Sequence, residues 1–169
     1  MTTARHPLLK FIVASASFMF VGTLHGVLQV IHPIRMWLDS IGSPYGGPGH
    51  MIDPLAHAHI NMVGGVVLLV MATSYYLLPI FTQRPLYSER LVNHTFWWII
   101  LGVCGFYITL MVFGIWEGNL SLTNPAAVDE VHRYYPPVIA LVSTAMGIGF
   151  WCYFANIFLT VRRYYNSGG

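Results

Sequence analysis

The sequence predicts an all-α integral membrane protein: a single four-helix bundle that occupies residues 1–169. Hydrophobic residues make up 56% of the chain and charged residues only 8%, whereas a soluble domain carries about 25% charged residues. Four apolar stretches are each long enough to supply the ~20 residues that cross a bilayer. The net charge of +2 gives no indication of nucleic-acid binding. The composition therefore favours a lipid bilayer as the main surroundings of the chain.

The first predicted span covers residues 8–31 and ends before Pro33, because the residue that precedes a proline avoids the helical conformation. Its positively charged start is also typical of a secretory signal. The apolar run is too long for a signal core and contains His25, so we interpret it as a membrane helix. Residues 34–53 are rich in glycine and proline and are predicted to form an irregular loop, with a short interfacial helix over residues 35–40.

The second predicted span covers residues 54–81, with Asp53 as its cap and Pro54 in its first turn. The third covers residues 93–116, and the fourth covers residues 135–161. The loop over residues 82–92 is short and basic, and the loop over residues 117–133 is polar and contains the turn-forming pair Asn124-Pro125.

Lysine and arginine predict the orientation, since cytoplasmic loops carry an excess of both. If both termini are cytoplasmic, six of these residues lie inside and two lie outside: Arg5, Lys10, Arg84, Arg90, Arg162 and Arg163 against Arg35 and Arg133. This bias predicts a multi-pass protein of a bacterial-type inner (plasma) membrane, with the N- and C-termini in the cytoplasm.

In this orientation, six of the eight histidines gather on the outer half of the bundle: His25, His32, His50, His57, His59 and His132. Ionisable groups within a membrane are costly and generally functional. A neutral imidazole can instead join two helices by a hydrogen bond. A single histidine leaves both interpretations open, whereas the cluster favours ligands of a metal cofactor.

The spacing of His57 and His59 favours heme over a single small ion. Two residues that are two positions apart on a helix are separated by ~200° around its axis. The two rings would therefore bind cofactors on different sides of the helix. Ligands of one ion would prefer a spacing of three or four residues. Copper or zinc remains open for His50 and its loop. His25 and His32 are seven residues apart, which predicts one shared helix face.

Small residues accompany the histidines. Gly64 and Gly65 follow His59 by about one turn, and Gly22 and Gly26 bracket His25. Glycine at such positions allows either a flat macrocycle or a neighbouring helix to approach closely, and both interpretations stay open. The sequence contains no Cys-x-x-Cys-His motif, so any heme would be held by coordination and packing alone.

The segment LAHAHINMVGG at 55–65, with YYLLP at 75–79, resembles the tenth membrane helix of the heme-copper oxidase and nitric oxide reductase large subunit. There a His-x-His opens the helix, and an aromatic-rich stretch with proline closes it. GTLHG at 22–26 is similar to the preceding helix of the nitric oxide reductase branch, and FWWII at 96–100 to the start of the following helix. Most of the chain thus resembles the last four helices of a longer subunit.

The resemblance implies that His57 is the type of ligand that holds a high-spin heme, and that His59 holds a low-spin heme. Arg133 resembles the arginines that meet heme propionates, although it can equally be an interfacial residue whose stem lies along lipid. The family takes further ligands from helices that have no counterpart in this sequence. The substitutes, in order of preference, are His25, His132 and His32.

We therefore predict a small membrane cytochrome b subunit that binds one or two b-type hemes near the outer face. It would transfer electrons inside a larger respiratory-type oxidoreductase, with other membrane subunits and a periplasmic redox partner. Coordination by two histidines leaves no open iron position, which suits electron transfer. We do not expect the chain to be catalytic alone.

Three alternatives stay open: a heme-free structural or assembly subunit, the C-terminal part of a split oxidase or reductase, and, least favoured, a metal permease. Quinone binding is a further open hypothesis. One candidate quinone site lies near His132 and consists of the acidic residues Glu117, Asp129 and Glu130. The other is His94 with its charged neighbours Arg90 and Glu89.

Overall fold

The computed structural model describes residues 7–166 and is helical, without strands, in this part of the chain. Arg5, one of the residues used to predict the orientation, lies outside the described residues. The helices are α1 (Leu9–Val30), α2 (His32–Ser40), α3 (Gly47–Thr82), α4 (Glu89–Thr123), α5 (Val128–His132) and α6 (Tyr135–Asn166). Four segments are long and apolar enough to cross a membrane: α1, α3, α4 and the stretch that contains α5 and α6. The predicted all-α fold is confirmed, with four helical segments long and apolar enough to span a membrane, and the orientation of the termini stays a prediction.

The break between α1 and α2 separates two histidines that the sequence places on one face. Ile31 is extended, with φ −67° and ψ 124°, and Pro33 lies in the first turn of α2. His32 therefore opens a new helix and is exposed. The prediction that His25 and His32 share one helix face is wrong, because the chain changes direction between them.

The α3 helix begins at Gly47 rather than at residue 54 and is kinked. Asp53, which precedes Pro54, has φ −132° and ψ 111°, an extended conformation that the following proline imposes. Wider, π-helical turns lie on both sides of the α-helical stretch His57–His59. Such turns are rare and frequently occur at functional sites. The α4 and α6 helices also extend beyond their predicted bounds, to Thr123 and Asn166.

Arg35 joins α2 to the kink of α3. Its guanidinium donates to the Asp53 carboxylate at 2.7 Å and to the Ser43 hydroxyl at 2.9 Å, and it also pairs with Asp39. The hydrogen bonds to Asp39 and Asp53 raise the pKa of Arg35. The charged guanidinium thus ties the irregular loop to the start of the helix that carries His57.

Contacts between helix ends establish the topology. Lys10 at the start of α1 donates to Asn93 at the start of α4, and the Tyr87 amide donates to Thr160 near the end of α6 at 2.9 Å. The described termini therefore lie at one end of the bundle. We call it the arginine-rich end, after Arg84, Arg90, Arg162 and Arg163. The opposite, histidine-rich end carries His25, His32, His50, His57, His59 and His132.

A buried asparagine anchors the start of α4 to α6. Asn156 is 0% exposed; its Oδ1 accepts from the Ser88 amide, and its Nδ2 donates to the Ser88 carbonyl, both at 3.0 Å. Ser88 also caps α4, since its hydroxyl accepts from the Leu91 amide. One side chain thus satisfies the backbone at the turn into α4.

We expect Asn156→Ala to lower the free energy of unfolding by about 2 kcal/mol, because it removes the acceptor of the Ser88 amide and leaves space where a fully buried side chain packed. The Ser88 carbonyl keeps its bond from the Val92 amide at 3.4 Å. The matched control is Thr144→Ala on the same helix, since the exposed Thr144 hydroxyl bonds only to its own helix at Ala140. Unfolding in mixed micelles with rising SDS, followed by circular dichroism, measures both variants. Equal midpoints for the two would contradict this role of Asn156.

Candidate functional site

His25 lies buried in α1, with 6% of its surface exposed, and both of its ring nitrogens have partners. The Gln29 amide nitrogen is 3.0 Å from Nε2, and the Tyr107 hydroxyl is 3.2 Å from Nδ1. An amide NH₂ group only donates, so Nε2 accepts and the Nδ1–H group donates to Tyr107. This arrangement assigns the Nδ1–H tautomer to a neutral imidazole that bridges α1 and α4.

The ring of His57 lies directly beside that of His25. The two ring centroids are 5.5 Å apart, with the planes inclined by 47°. Gly26 provides the space, because a Cβ at this position would lie 3.1 Å from Nε2 of His57. Sequence reasoning made His25 the preferred partner of His59, whereas the structure places it against His57.

His59 projects towards α4 rather than α1. Its Nδ1 is 2.9 Å from the Leu55 carbonyl, which can only accept, so this nitrogen carries the proton. The ring also packs against that of Phe106, with centroids 4.4 Å apart and the planes inclined by 31°. Histidines that bind metals generally donate the other ring N–H to such a carbonyl, which fixes the tautomer and the orientation of the ring. His59 therefore presents Nε2 with a free lone pair.

The glycines that follow the His-x-His pack against α1. A Cβ at Gly64 would lie 2.8 Å from the Phe18 side chain, and one at Gly65 would lie 2.5 Å from that of Met19. The Ser15 hydroxyl also donates to the Gly65 carbonyl at 2.8 Å. In this arrangement Gly64 and Gly65 allow two helices to approach each other, and α1 side chains fill the space proposed for a macrocycle.

His132 contacts an acidic residue rather than the other histidines. Its Nδ1 lies 3.0 and 3.1 Å from the two carboxylate oxygens of Glu117. The Glu117 side chain is 3% exposed and that of His132 is 50% exposed. Tyr135 lies over the His132 ring, with centroids 5.4 Å apart. His132 thus links a buried carboxylate on α4 to the surface of the histidine-rich end.

The remaining candidates lie at the periphery. Arg133 is exposed, donates to the Tyr134 hydroxyl at 2.9 Å and pairs with Glu130 at 3.5 Å. His32 is exposed, and Nδ1 of His50 bonds to a loop carbonyl. Within residues 7–166, no three side chains of His, Cys, Asp and Glu come close enough together to hold a metal ion.

Sequence reasoning missed Gln29, Tyr107 and Phe106, which make the closest contacts to the histidines. Gln29 had a detectable signal, since a glutamine four residues after a membrane-embedded histidine shares its helix face. Tyr107 and Phe106 are ordinary members of an apolar helix in the sequence. Only the packing of α4 against α1 and α3 brings them to the site.

Comparisons with known proteins agree on one relationship. Residues 1–146 match the family model described as cytochrome c and quinol oxidase polypeptide I. The chain is 25% identical to the cbb3-type cytochrome c oxidase subunit CcoN1 of Stutzerimonas stutzeri over 66% of its own length and 22% of the relative's. It is 25% identical to the bacteroid cytochrome c oxidase subunit 1 homolog of Bradyrhizobium diazoefficiens over 92% of its own length and 28% of the relative's. The chain thus spans about a quarter of the length of these relatives.

Proposed function

Because this chain belongs to the cytochrome c and quinol oxidase polypeptide I family, we propose that it is a membrane cytochrome b subunit. It holds one or two b-type hemes at its histidine-rich end and passes electrons within a larger respiratory oxidoreductase. The observation that carries the proposal is the state of His59: the Leu55 carbonyl occupies Nδ1, so Nε2 is left for iron.

The residues at the histidine-rich end fit a heme in part. His59 offers a correctly protonated ring, and the half-buried His57 has no hydrogen-bond partner on its ring nitrogens among the described residues. His25 fits less well, because iron would have to displace Gln29 or Tyr107. His57 and His59 are therefore the ligands that we propose.

A bound heme b supplies one-electron exchange at its iron. The chain's own residues would position it and shield it from water. His59 would hold the iron, and the Leu55 carbonyl would keep the ring in the required tautomer and orientation. Phe106 packs against the ring and would limit the approach of water from the side of α4. His57 faces α1 instead, so it would hold a second heme rather than the one at His59, and that heme would have to displace the α1 side chains beside His57.

The surroundings of the bundle support assembly with further membrane subunits. The chain covers only 22% and 28% of the two relatives. In the most apolar 18-residue stretch of the segment that contains α6, only 6% of the residues are buried. In the corresponding stretch of α4, 39% are buried. The lysine and arginine bias favours a cytoplasmic arginine-rich end. The hemes would then lie on the periplasmic side, within reach of a periplasmic redox partner.

The test is a redox-difference spectrum of the purified chain, with a pyridine hemochrome assay for heme type and stoichiometry. We expect the reduced-state bands of heme b, and one or two hemes per chain. Expression should be carried out with added heme precursor, so that supply does not limit loading. A protein without these bands under such conditions would overturn the proposal.

One observation favours a second candidate, a heme-free structural subunit. The hydrogen bonds from His25 to Gln29 and Tyr107 join α1 to α4 without any cofactor, as polar residues do between membrane helices. In that case His25 stabilises the bundle and the absorbance spectrum shows protein bands alone. If the chain is instead one part of a split enzyme, heme should appear only after coexpression with the chain that supplies the remaining helices.

A further inference from the structure

We propose that the arginine-rich end binds an anionic glycerophospholipid, with one acyl chain between α1 and α3 and the headgroup at Arg84. The first observation is an apolar groove of about 330 Å³ between these two helices. Leu9, Ile12 and Leu69 form part of its wall and are themselves partly exposed towards the surroundings of the bundle. The groove therefore opens sideways, where an acyl chain can enter from the bilayer.

The groove continues towards a more polar region. It shares Leu8 with a second cavity of about 250 Å³, which Glu89 and Asn93 help to line. The second cavity shares Pro79 and Pro85 with a third, open cavity of about 410 Å³ that ends at Gln83 and Arg84. Because neighbouring cavities share lining residues, the three follow one another as a path from apolar to basic surroundings. An amphipathic ligand with a negatively charged head matches this gradient.

The charges at this end select the headgroup. Arg84 follows the C-terminus of α3, is exposed, and makes no ion pair among residues 7–166. Lys10 is engaged instead, since it donates to Asn93 and lies over the Phe96 ring at 4.7 Å. Arg84 is thus the cation placed to meet a lipid phosphate. An uncharged apolar ligand would leave this basic end of the path unused.

The experiment is native mass spectrometry of the full chain in mild detergent, with added phosphatidylglycerol or phosphatidylcholine of identical acyl chains. Wild type should retain phosphatidylglycerol in preference to phosphatidylcholine. Arg84→Gln should weaken phosphatidylglycerol retention by about fivefold, the contribution of one arginine near an anionic lipid, and should leave phosphatidylcholine unchanged. Leu69→Trp, which fills the groove, should lower retention of both lipids.

The matched control is Arg162→Gln, which removes an exposed arginine at the same end that does not line the path. It should retain phosphatidylglycerol like wild type. Equal retention of the two lipids by wild type, or equal losses in Arg84→Gln and Arg162→Gln, would overturn the proposal. Unchanged retention of both lipids in Leu69→Trp would show that no acyl chain occupies the groove between α1 and α3. The heme spectrum plays no part in this test, so its outcome is independent of the proposed electron-transfer function.

Discussion

Replacing His59 with alanine should remove the heme b bands from a chain that binds one heme, and about half of them from a chain that binds two. His59 has the protonation and orientation that an axial ligand needs, because its Nδ1 bonds to the Leu55 carbonyl at 2.9 Å. His57 is not a ready substitute, since it faces α1, whereas the ring in contact with His59 is that of Phe106. Heme content per chain, from the pyridine hemochrome assay, is the measurement.

His94→Ala is the matched control for this experiment. His94 is an exposed histidine in α4 near the arginine-rich end, far along the helix from Phe106, so its variant should keep the full heme content. Circular dichroism of both variants checks that the helices are retained. His57→Ala should leave a one-heme chain loaded through His59 and should lower a two-heme chain by one heme. A full complement of heme in His59→Ala would remove His59 from the site.

Gly102→Ala should destabilise the bundle by about 3 kcal/mol or more, the upper range for overpacking a buried site. A Cβ at Gly102 would lie 2.5 Å from the Cα and 2.6 Å from the amide nitrogen of Met146. These are backbone atoms, which cannot move aside as the end of a flexible side chain does. The methyl group therefore has to push α4 and α6 apart along the most extensively packed pair of helices.

Gly147→Ala is the control for this substitution, because a Cβ at Gly147 would meet nothing within 4 Å. Alanine there should be neutral or stabilising by up to about 1 kcal/mol, since it favours the helix over the unfolded chain. Unfolding midpoints in SDS mixed micelles should thus shift in opposite directions, or only for Gly102→Ala. Similar shifts for both would show that helix propensity, rather than interhelical distance, determines the stability of this pair.

Much of the fold is already decided by local properties of the sequence. The four spans follow from the length and hydropathy of continuous stretches, and the end of α1 follows from Pro33. The residues at which the helices begin and end were less predictable. The α4 helix begins after the capping Ser88 and continues to Thr123, because helix capping and contacts with neighbouring helices extend it past its apolar stretch. The α3 helix likewise starts within the loop, at Gly47.

The spacing of His57 and His59 along one helix is enough to place them on different sides of α3, because it sets the angle between them. Which side chain each ring contacts depends on the tertiary structure. His57 lies against His25, His59 lies against Phe106, and His132 lies against Glu117. The rotation and depth of each helix depend on close contacts between helices that are distant in sequence. The pattern of residues within one helix does not predict those contacts.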